Sequence, residues 1–335
     1  MFDEVKALSY ARKRGVPFYS YTQEQRLIEF IKICKSNFSN GIVGDEILQI
    51  LNGLGLCWSY FPHHWSVPVG KMKRPIDIFN DDELLTKALI SRHKWGGKFN
   101  SDGSTSDSNL RKAIRTASGV QAVSNFRPAS AATIYYNYAK NGIVWDMSCG
   151  FGGRLIGAFA SNVVKKYIGT EPSTENFKGL KNIEKDFKII NPLKDLFSKN
   201  MEVELYKIGS EDFIPKEKVD LCFTSPPYFN TEQYSDEETQ SFKKFPTQET
   251  WLNGFLKSTM MNCKSCLKKD GKMLINIANV KTFKNLEEET VRISIELGFK
   301  LETILKLRLS SLFNGGFKHE PVFVFSPPQP LDIKG

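Results

Sequence analysis

Cysteine and histidine are scarce in this chain, with 6 and 4 among 335 residues. Six cysteines spread thinly over such a length argue for reduced thiols and against a disulfide framework. Cys263-Lys264-Ser265-Cys266 has the spacing of a metal or redox pair, but no second pair stands at metal-ligand distance and the segment reads as a helix end, so a structural role is expected. His63-His64 has no ligand partners nearby, and no metal is assigned. No apolar run approaches the ~20 residues of a membrane-spanning helix, and Met1-Phe2-Asp3-Glu4 lacks the apolar core of a signal peptide. A soluble, cytoplasmic protein is expected. No internal repeat is visible.

What is present is enough for a packed core: 41% of residues are hydrophobic. A chain of this length implies two units. Its formal net charge of +9 suits a polyanionic partner. We divide it into a mainly helical N-terminal domain, 1–120, and a second domain, 121–335.

In the first part, Thr22-x-x-Gln25 is a capping-box pattern opening a helix with Leu27, Ile28, Ile31 and Cys34 on one face. Asp45 is expected to cap a helix over 47–51, and Asn80 or Asp81 one over 84–90. The aromatic-, glycine- and proline-rich stretch 53–75 reads as loops or short strands. Gly96-Gly97 and Ser101-Asp102-Gly103-Ser104-Thr105-Ser106 form the clearest flexible segment. Leu110, Ala113, Ile114 and Ala117 then make one helical face, with Arg111, Lys112 and Arg115 off it, facing either solvent or phosphates.

From residue 143 the pattern alternates. Strands are expected over 143–147, 166–170, 203–208, 219–224, 272–278, 301–309 and 321–325, and helices over 155–160, 174–190, 249–267 and 286–297. Such alternation implies an α/β fold with a mostly parallel sheet covered on both faces. The last two strands are joined only through Asn314-Gly315-Gly316 and should form an antiparallel hairpin at the sheet edge.

Two turns carry the chemistry. Thr224-Ser225-Pro226-Pro227-Tyr228 follows the apolar strand Val219-Asp220-Leu221-Cys222-Phe223. Neither proline can donate to a sheet, so the chain must leave it stiffly, holding a hydroxyl and an aromatic ring in fixed relation. That arrangement can grip a planar ring bearing an amine. Upstream, Val144-Trp145-Asp146-Met147-Ser148-Cys149-Gly150-Phe151-Gly152-Gly153-Arg154 is a strand entering a glycine-rich turn and then a helix, where the backbone can approach a ligand closely.

Together these segments resemble the amino-methyltransferases that use S-adenosylmethionine to methylate exocyclic amines of DNA bases. Asp146-Met147-Ser148-Cys149-Gly150-Phe151-Gly152 resembles that family's cofactor loop, D-P-F-C-G-S-G, and Ser225-Pro226-Pro227-Tyr228 its catalytic [DNS]-P-P-[YFW]. The resemblance covers roughly 124 to the C-terminus and implies a Rossmann-like methyltransferase fold ending in an antiparallel hairpin. It implies that Asp146, Ser148, Cys149, Gly150 and Gly152 cradle the cofactor, and that Glu171 takes the ribose hydroxyls. Asp212 then accepts from the adenine amine, Phe213 packs on that ring, and Arg127, before Pro128, pairs with the cofactor carboxylate. Met147-Ser148 stands where the family has Pro-Phe, and Phe151 replaces a small residue, which should reshape the pocket.

By the same resemblance, Ser225 Oγ and the Pro226 carbonyl accept from the target amine, Pro227 stiffens the turn, Tyr228 stacks on the base and Phe229 lines the pocket. Asn276, near the end of the fifth strand of the alternating series, faces the same site. The base must be flipped from its duplex. Residues 230–238 read as a mobile loop beside the pocket. Serine at the first motif position favours cytosine N4 over adenine N6. The N-terminal domain is the candidate reader of the DNA sequence, with Arg111, Lys112 and Arg115 as phosphate contacts, and a restriction endonuclease is a candidate partner. The rival readings are an RNA or protein-amine methyltransferase, and a non-catalytic nucleic-acid-binding protein with the same fold.

Overall fold

The structure, a computed structural model, describes residues 2–48, 52–190, 201–311 and 315–329, the side chains of 189 and 190 excepted. Contacts divide the chain into two compact units: Met1–Ser20, Phe61–Ser124 and Glu232–Ser235 in one, Tyr21–Tyr60, Asn125–Thr231 and Asp236–Gly335 in the other. Among the described residues no helix is long and apolar enough to cross a membrane.

The first unit is built from helices Glu4–Arg14, Pro75–Asn80, Asp82–Lys94 and Asp107–Arg115 around Ala7, Trp65, Ile78, Leu85, Leu89, Leu110 and Ile114. Asp81, rather than Asn80, caps the third of these, accepting from the Leu84 N–H at 2.9 Å. Leu110, Ala113 and Ile114 are buried, as the helical period requires. The glycine-rich segment is tied to this core: a Cβ on Gly103 would stand 2.3 Å from the Lys6 backbone.

The second unit carries a nine-stranded sheet. Its strands are β1 (Ile42–Val43), β2 (Glu46–Ile47), β3 (Gly142–Asp146), β4 (Val164–Thr170), β5 (Glu202–Tyr206), β6 (Val219–Thr224), β7 (Leu267–Asn276), β8 (Lys300–Ser311) and β9 (Phe317–Ser326). Their spatial order is β1-β2-β8-β9-β7-β6-β3-β4-β5. Strands β3 to β7 pair in parallel, while β9 is antiparallel to both β7 and β8. The hairpin is therefore folded back so that its second strand lies inside the sheet. Asn314 of its connection lies outside the described residues.

Both faces are covered, because side chains alternate along each strand. Trp145, Cys222, Met273 and Phe323 pack with Trp251, Phe255, Met260 and Ile293 on one side. On the other, Phe223 meets Tyr135 edge-on at 5.7 Å. Helices Pro128–Tyr138 and Gly153–Ser161 approach closely there: a Cβ on Gly157 would lie 2.6 Å from the Pro128 carbonyl. Cys263 and Cys266 are buried in the core, with Cys266 Sγ 3.8 Å from Cys222 Sγ. Among the described residues no group of three or more His, Cys, Asp or Glu could hold a metal.

Three local expectations fail. Asp45 does not cap a helix beginning at residue 47; it sits in the turn of the β1–β2 hairpin, paired with Lys306 at 2.7 Å, while residues 49–51 lie outside the described ones. Cations on β8 draw Asp45 and Glu46 to the sheet, where β2 extends it in parallel. The capping box at Thr22 is present, but the helix Gln23–Cys34 buries Phe30 and Ile33 and leaves Ile28 48% exposed. Phe30 meets Phe187 edge-on at 4.6 Å, and Ile33 fills the space left by Gly53. Within 53–75 the structure forms a short helix, Leu54–Trp58, and a 3-10 turn, Pro62–Ser66.

Candidate active site

Strand β3 lies beside β6 in parallel, with Trp145 opposite Cys222 and Asp146 opposite Phe223. Neighbouring strands are about 4.8 Å apart, so the turns after Asp146 and after Thr224 leave the sheet side by side. In such sheets the carboxyl edge is where ligands bind. The other flank of β3 is β4, which delivers Glu171, and the other flank of β6 is β7, which ends at Asn276.

The glycine-rich turn is held from beneath. Asp146 is fully buried and all of its bonds are internal: Oδ1 accepts from the Ser148 N–H at 3.2 Å, and Oδ2 from Arg154 Nε at 2.9 Å and Tyr167 Oη at 2.5 Å. Arg154 also donates to the Ser148 carbonyl. Thr170 Oγ1 donates to the Met147 carbonyl at 2.9 Å, and the Cys149 N–H to the Thr170 carbonyl at 3.0 Å. Asp146 thus acts as a clamp on the loop, and Cys149 is a buried wall of it, its Sγ 3.5 Å from Tyr167 Oη. Sequence could not distinguish a clamp from a ligand, because Arg154 and Tyr167 reach Asp146 through the fold.

Gly150 has φ +55 and Gly152 φ +69, the left-handed region that favours glycine. Above Gly150 the space is open: the nearest atom to a Cβ there would be the Ser148 carbonyl oxygen at 3.9 Å. At Gly153 the reverse holds, since a Cβ would stand 1.9 Å from the Phe126 carbonyl. Phe151 does not shape a pocket as expected; it is buried, with its ring 5.2 Å from Trp58. The short chain stretch carrying Trp58 folds against this loop, which no local pattern announces.

Glu171 is 5% exposed and accepts from the Gly150 N–H at 2.8 Å through Oε2 and from the Ser173 N–H at 2.9 Å through Oε1. Burial pushes its carboxyl up to about 7, against the pull of those N–H groups. Each oxygen keeps further acceptor capacity. Asp212 is held by Lys244 Nζ at 2.6 Å, and Phe213 packs between Tyr206 and Trp145, with centroids at 4.6 and 5.8 Å. Arg127 is turned to the last hairpin, its Nη1 donating to the carbonyls of Arg308 and Leu309 at 3.1 and 3.2 Å.

On the catalytic side, Ser225 Oγ lies 3.5 Å from Tyr228 Oη. That hydroxyl also reaches the Asn276 carbonyl at 3.3 Å, Asn276 Oδ1 at 3.5 Å and Glu320 Oε2 at 3.3 Å. Pro226 is buried and Pro227 is half-buried, so the turn is anchored on one side. Phe229 does not line a pocket as expected: at 6% exposure it packs edge-on to Trp251 and Phe283, both at 6.1 Å. Its φ of +55 is costly for a bulky residue, and the aromatic core holds it there.

Glu320 was missed in the sequence. It belongs to β9, which runs against the other strands and so brings its early residues to the carboxyl edge. A carboxylate set directly before the apolar run Pro321-Val322-Phe323-Val324-Phe325 was the available signal. Arg111, Lys112 and Arg115 lie in the first unit. Arg111 is engaged there, donating to the Pro17 and Phe18 carbonyls and lying 4.1 Å over the Tyr19 ring. Of residues 230–238, Glu232 accepts from the Ser124 N–H at 2.9 Å, and Glu237 from the Thr174 N–H at 2.8 Å.

Residues 219–331 match the family model described as DNA methylase, the N6/N4 methylases. The chain is 30% identical over 104 residues to the Type II methyltransferase M.MjaVI of Methanocaldococcus jannaschii, covering 29% of this chain and 50% of that protein. It thus spans about half the length of that curated relative. Among solved structures, it resembles a methyltransferase from Pyrococcus furiosus (TM-score 0.42, 14% identity, 65% of this chain and 94% of that one). It also resembles an rRNA methylase from Streptococcus thermophilus (TM-score 0.38, 13% identity, 62% and 100%). A third likeness is to magnesium protoporphyrin IX methyltransferase from Synechocystis with bound S-adenosylmethionine (TM-score 0.39, 10% identity, 59% and 76%).

The strand order, with an antiparallel strand inserted beside β7, is that of the Rossmann-like methyltransferase fold. The glycine loop fits S-adenosylmethionine: it has open space over Gly150, and at the end of β4 a buried carboxylate that is paired with no cation among the described residues. Residues 219–331 are thus similar to the methylase domain of the N6/N4 DNA methylases, and the glycine loop on the neighbouring strand has the form of a site for S-adenosylmethionine.

Proposed function

We propose that this protein methylates an exocyclic amine of a base in DNA, cytosine N4 in preference to adenine N6, with the target base flipped out of the duplex. The observation that carries the reading is the parallel register of β3 and β6, which sets the glycine loop beside the Ser-Pro-Pro-Tyr turn. S-adenosylmethionine, when bound, supplies a methyl group on a positively charged sulfur.

The work of this chain is positioning. An exocyclic amine is a poor nucleophile because its lone pair is shared with the ring. Hydrogen bonds from that amine to Ser225 Oγ and the Pro226 carbonyl favour a pyramidal nitrogen and aim its lone pair. The Tyr228 ring, held by its hydroxyl on Asn276 and Glu320, forms a wall for the base. Gly150 and Glu171 hold the methyl donor at the neighbouring turn. Such preorganised geometry supplies most of the acceleration, with no covalent intermediate on the enzyme.

Under this reading residues 1–120 include the reader of DNA sequence, and Lys112 and Arg115 are candidate phosphate contacts on the helix Asp107–Arg115. The net charge of +9 favours that partner.

The test is transfer of labelled methyl to duplex DNA, tRNA and protein pools, followed by base-resolution sequencing of the product. Ser225→Ala should reduce transfer by ~10²–10³-fold while sparing DNA binding. Label entering tRNA or protein in preference to DNA refutes the substrate assignment. An unimpaired Ser225→Ala refutes the role of the turn.

A further inference from the structure

We propose that Ser225, Tyr228 and Glu320 form a relay that removes the proton the target amine must lose, with the Glu320 carboxylate as its terminus. This rests on the methyl-transfer reading above and adds a residue that the motif does not contain.

The three groups come from separate segments. Ser225 Oγ is 3.5 Å from Tyr228 Oη, which donates to Glu320 Oε2 at 3.3 Å. Asn276 fixes the meeting point: its Nδ2 donates to the Pro321 carbonyl at 2.9 Å, while its backbone carbonyl oxygen lies 3.3 Å from Tyr228 Oη. The fold thus carries a carboxylate to a hydroxyl that touches the proposed amine acceptor.

The reaction requires such an outlet. When the N–CH3 bond forms and the sulfur–carbon bond breaks, the nitrogen is left cationic with two N–H bonds. One of these must break, its electron pair returning to nitrogen to give the neutral methylamine. That proton passes to Ser225 Oγ as the Ser225 proton passes to Tyr228 and the Tyr228 proton to Glu320. Both hydroxyls end as they began, and the carboxylate ends as a carboxylic acid that later yields its proton to water. Contacts of this length tighten once substrate is bound.

The surroundings suit the role. Burial raises the Glu320 carboxyl above the ordinary carboxylate range; Lys318 on the same strand opposes that, and Glu287 from the helix Leu286–Glu296 adds to it. Burial pushes the nearby Arg127 guanidinium below its ordinary range, and the Glu320 charge opposes that. A carboxylate with a raised pKa is a better proton acceptor near neutral pH.

The experiment measures single-turnover methylation of duplex DNA from pH 5 to pH 9 for the wild-type protein, Glu320→Gln, Tyr228→Phe and the double variant. DNA affinity and thermal unfolding are measured on the same samples. The wild-type rate should rise with pH as Glu320 ionises. Each single variant should flatten that limb and slow the reaction ~10²-fold, with DNA affinity and folding retained. Because both cut one chain, the double variant should be no slower than either single one. A Glu320→Gln protein that keeps the wild-type pH limb, or losses that multiply in the double variant, overturns the relay and leaves the methyl-transfer reading standing. Absence of methyl transfer by the wild-type protein overturns both.

Discussion

Glu171→Gln isolates the energetic consequence of placing a carboxylate under the glycine loop. Burial is the largest influence on this group, the N–H groups of Ser173 and Gly150 oppose it, and Asp146 reinforces it, leaving the carboxyl at about 7 against an ordinary 4.5. The difference, 7 − 4.5, is about 2.5 pH units, and at about 1.36 kcal/mol each it amounts to ~3 kcal/mol. Because the folded-state pKa is raised, the group's favourable contribution is complete below about pH 4.5 and is lost as pH rises through about 7.

Glutamine carries no charge, so its cost at the two N–H groups is independent of pH. Urea unfolding of both proteins should therefore show the stability of Glu171→Gln, relative to wild type, improving by roughly 2.5 kcal/mol between pH 5 and pH 8. Other carboxylates cancel in that comparison. Ribose hydroxyls donating to the ionised form would draw the pKa back down, so wild-type affinity for S-adenosylmethionine should tighten across the same interval. Calorimetry should show no such trend in Glu171→Gln. Parallel stability curves for the two proteins would refute the reasoning.

Two further variants probe the frame around the site. Arg154→Met leaves Asp146 buried without its cation and should cost ~3–5 kcal/mol in urea unfolding; a loss below ~1 kcal/mol would show that Tyr167 and the Ser148 N–H suffice. Gly153→Ala drives a Cβ against the Phe126 carbonyl and should cost ~3 kcal/mol or more, whereas Gly150→Ala meets only the ~1 kcal/mol strain of its φ. Equal costs for the two alanines would contradict that contrast.

What the sequence determined by itself was whatever depends on neighbours along the chain. Strand β6 and the helix Thr174–Ile190 stand within their expected bounds, and the capping box at Thr22 forms, because apolar period and local hydrogen bonds set them. The two chemistry-bearing turns were legible for the same reason: glycines and prolines restrict the backbone wherever they stand. Tertiary structure decided the partners. Asp45 left its expected cap for Lys306, Phe30 and Ile33 replaced the expected buried face, and Phe229 went into the core. Asp146 became a clamp through Arg154 and Tyr167. Glu320 entered the site only because β9 runs against its neighbours and brings a residue nearly a hundred positions beyond Ser225 to the same edge. Pairing across a sheet is set by burial and register summed over many strands, so no local pattern could specify it.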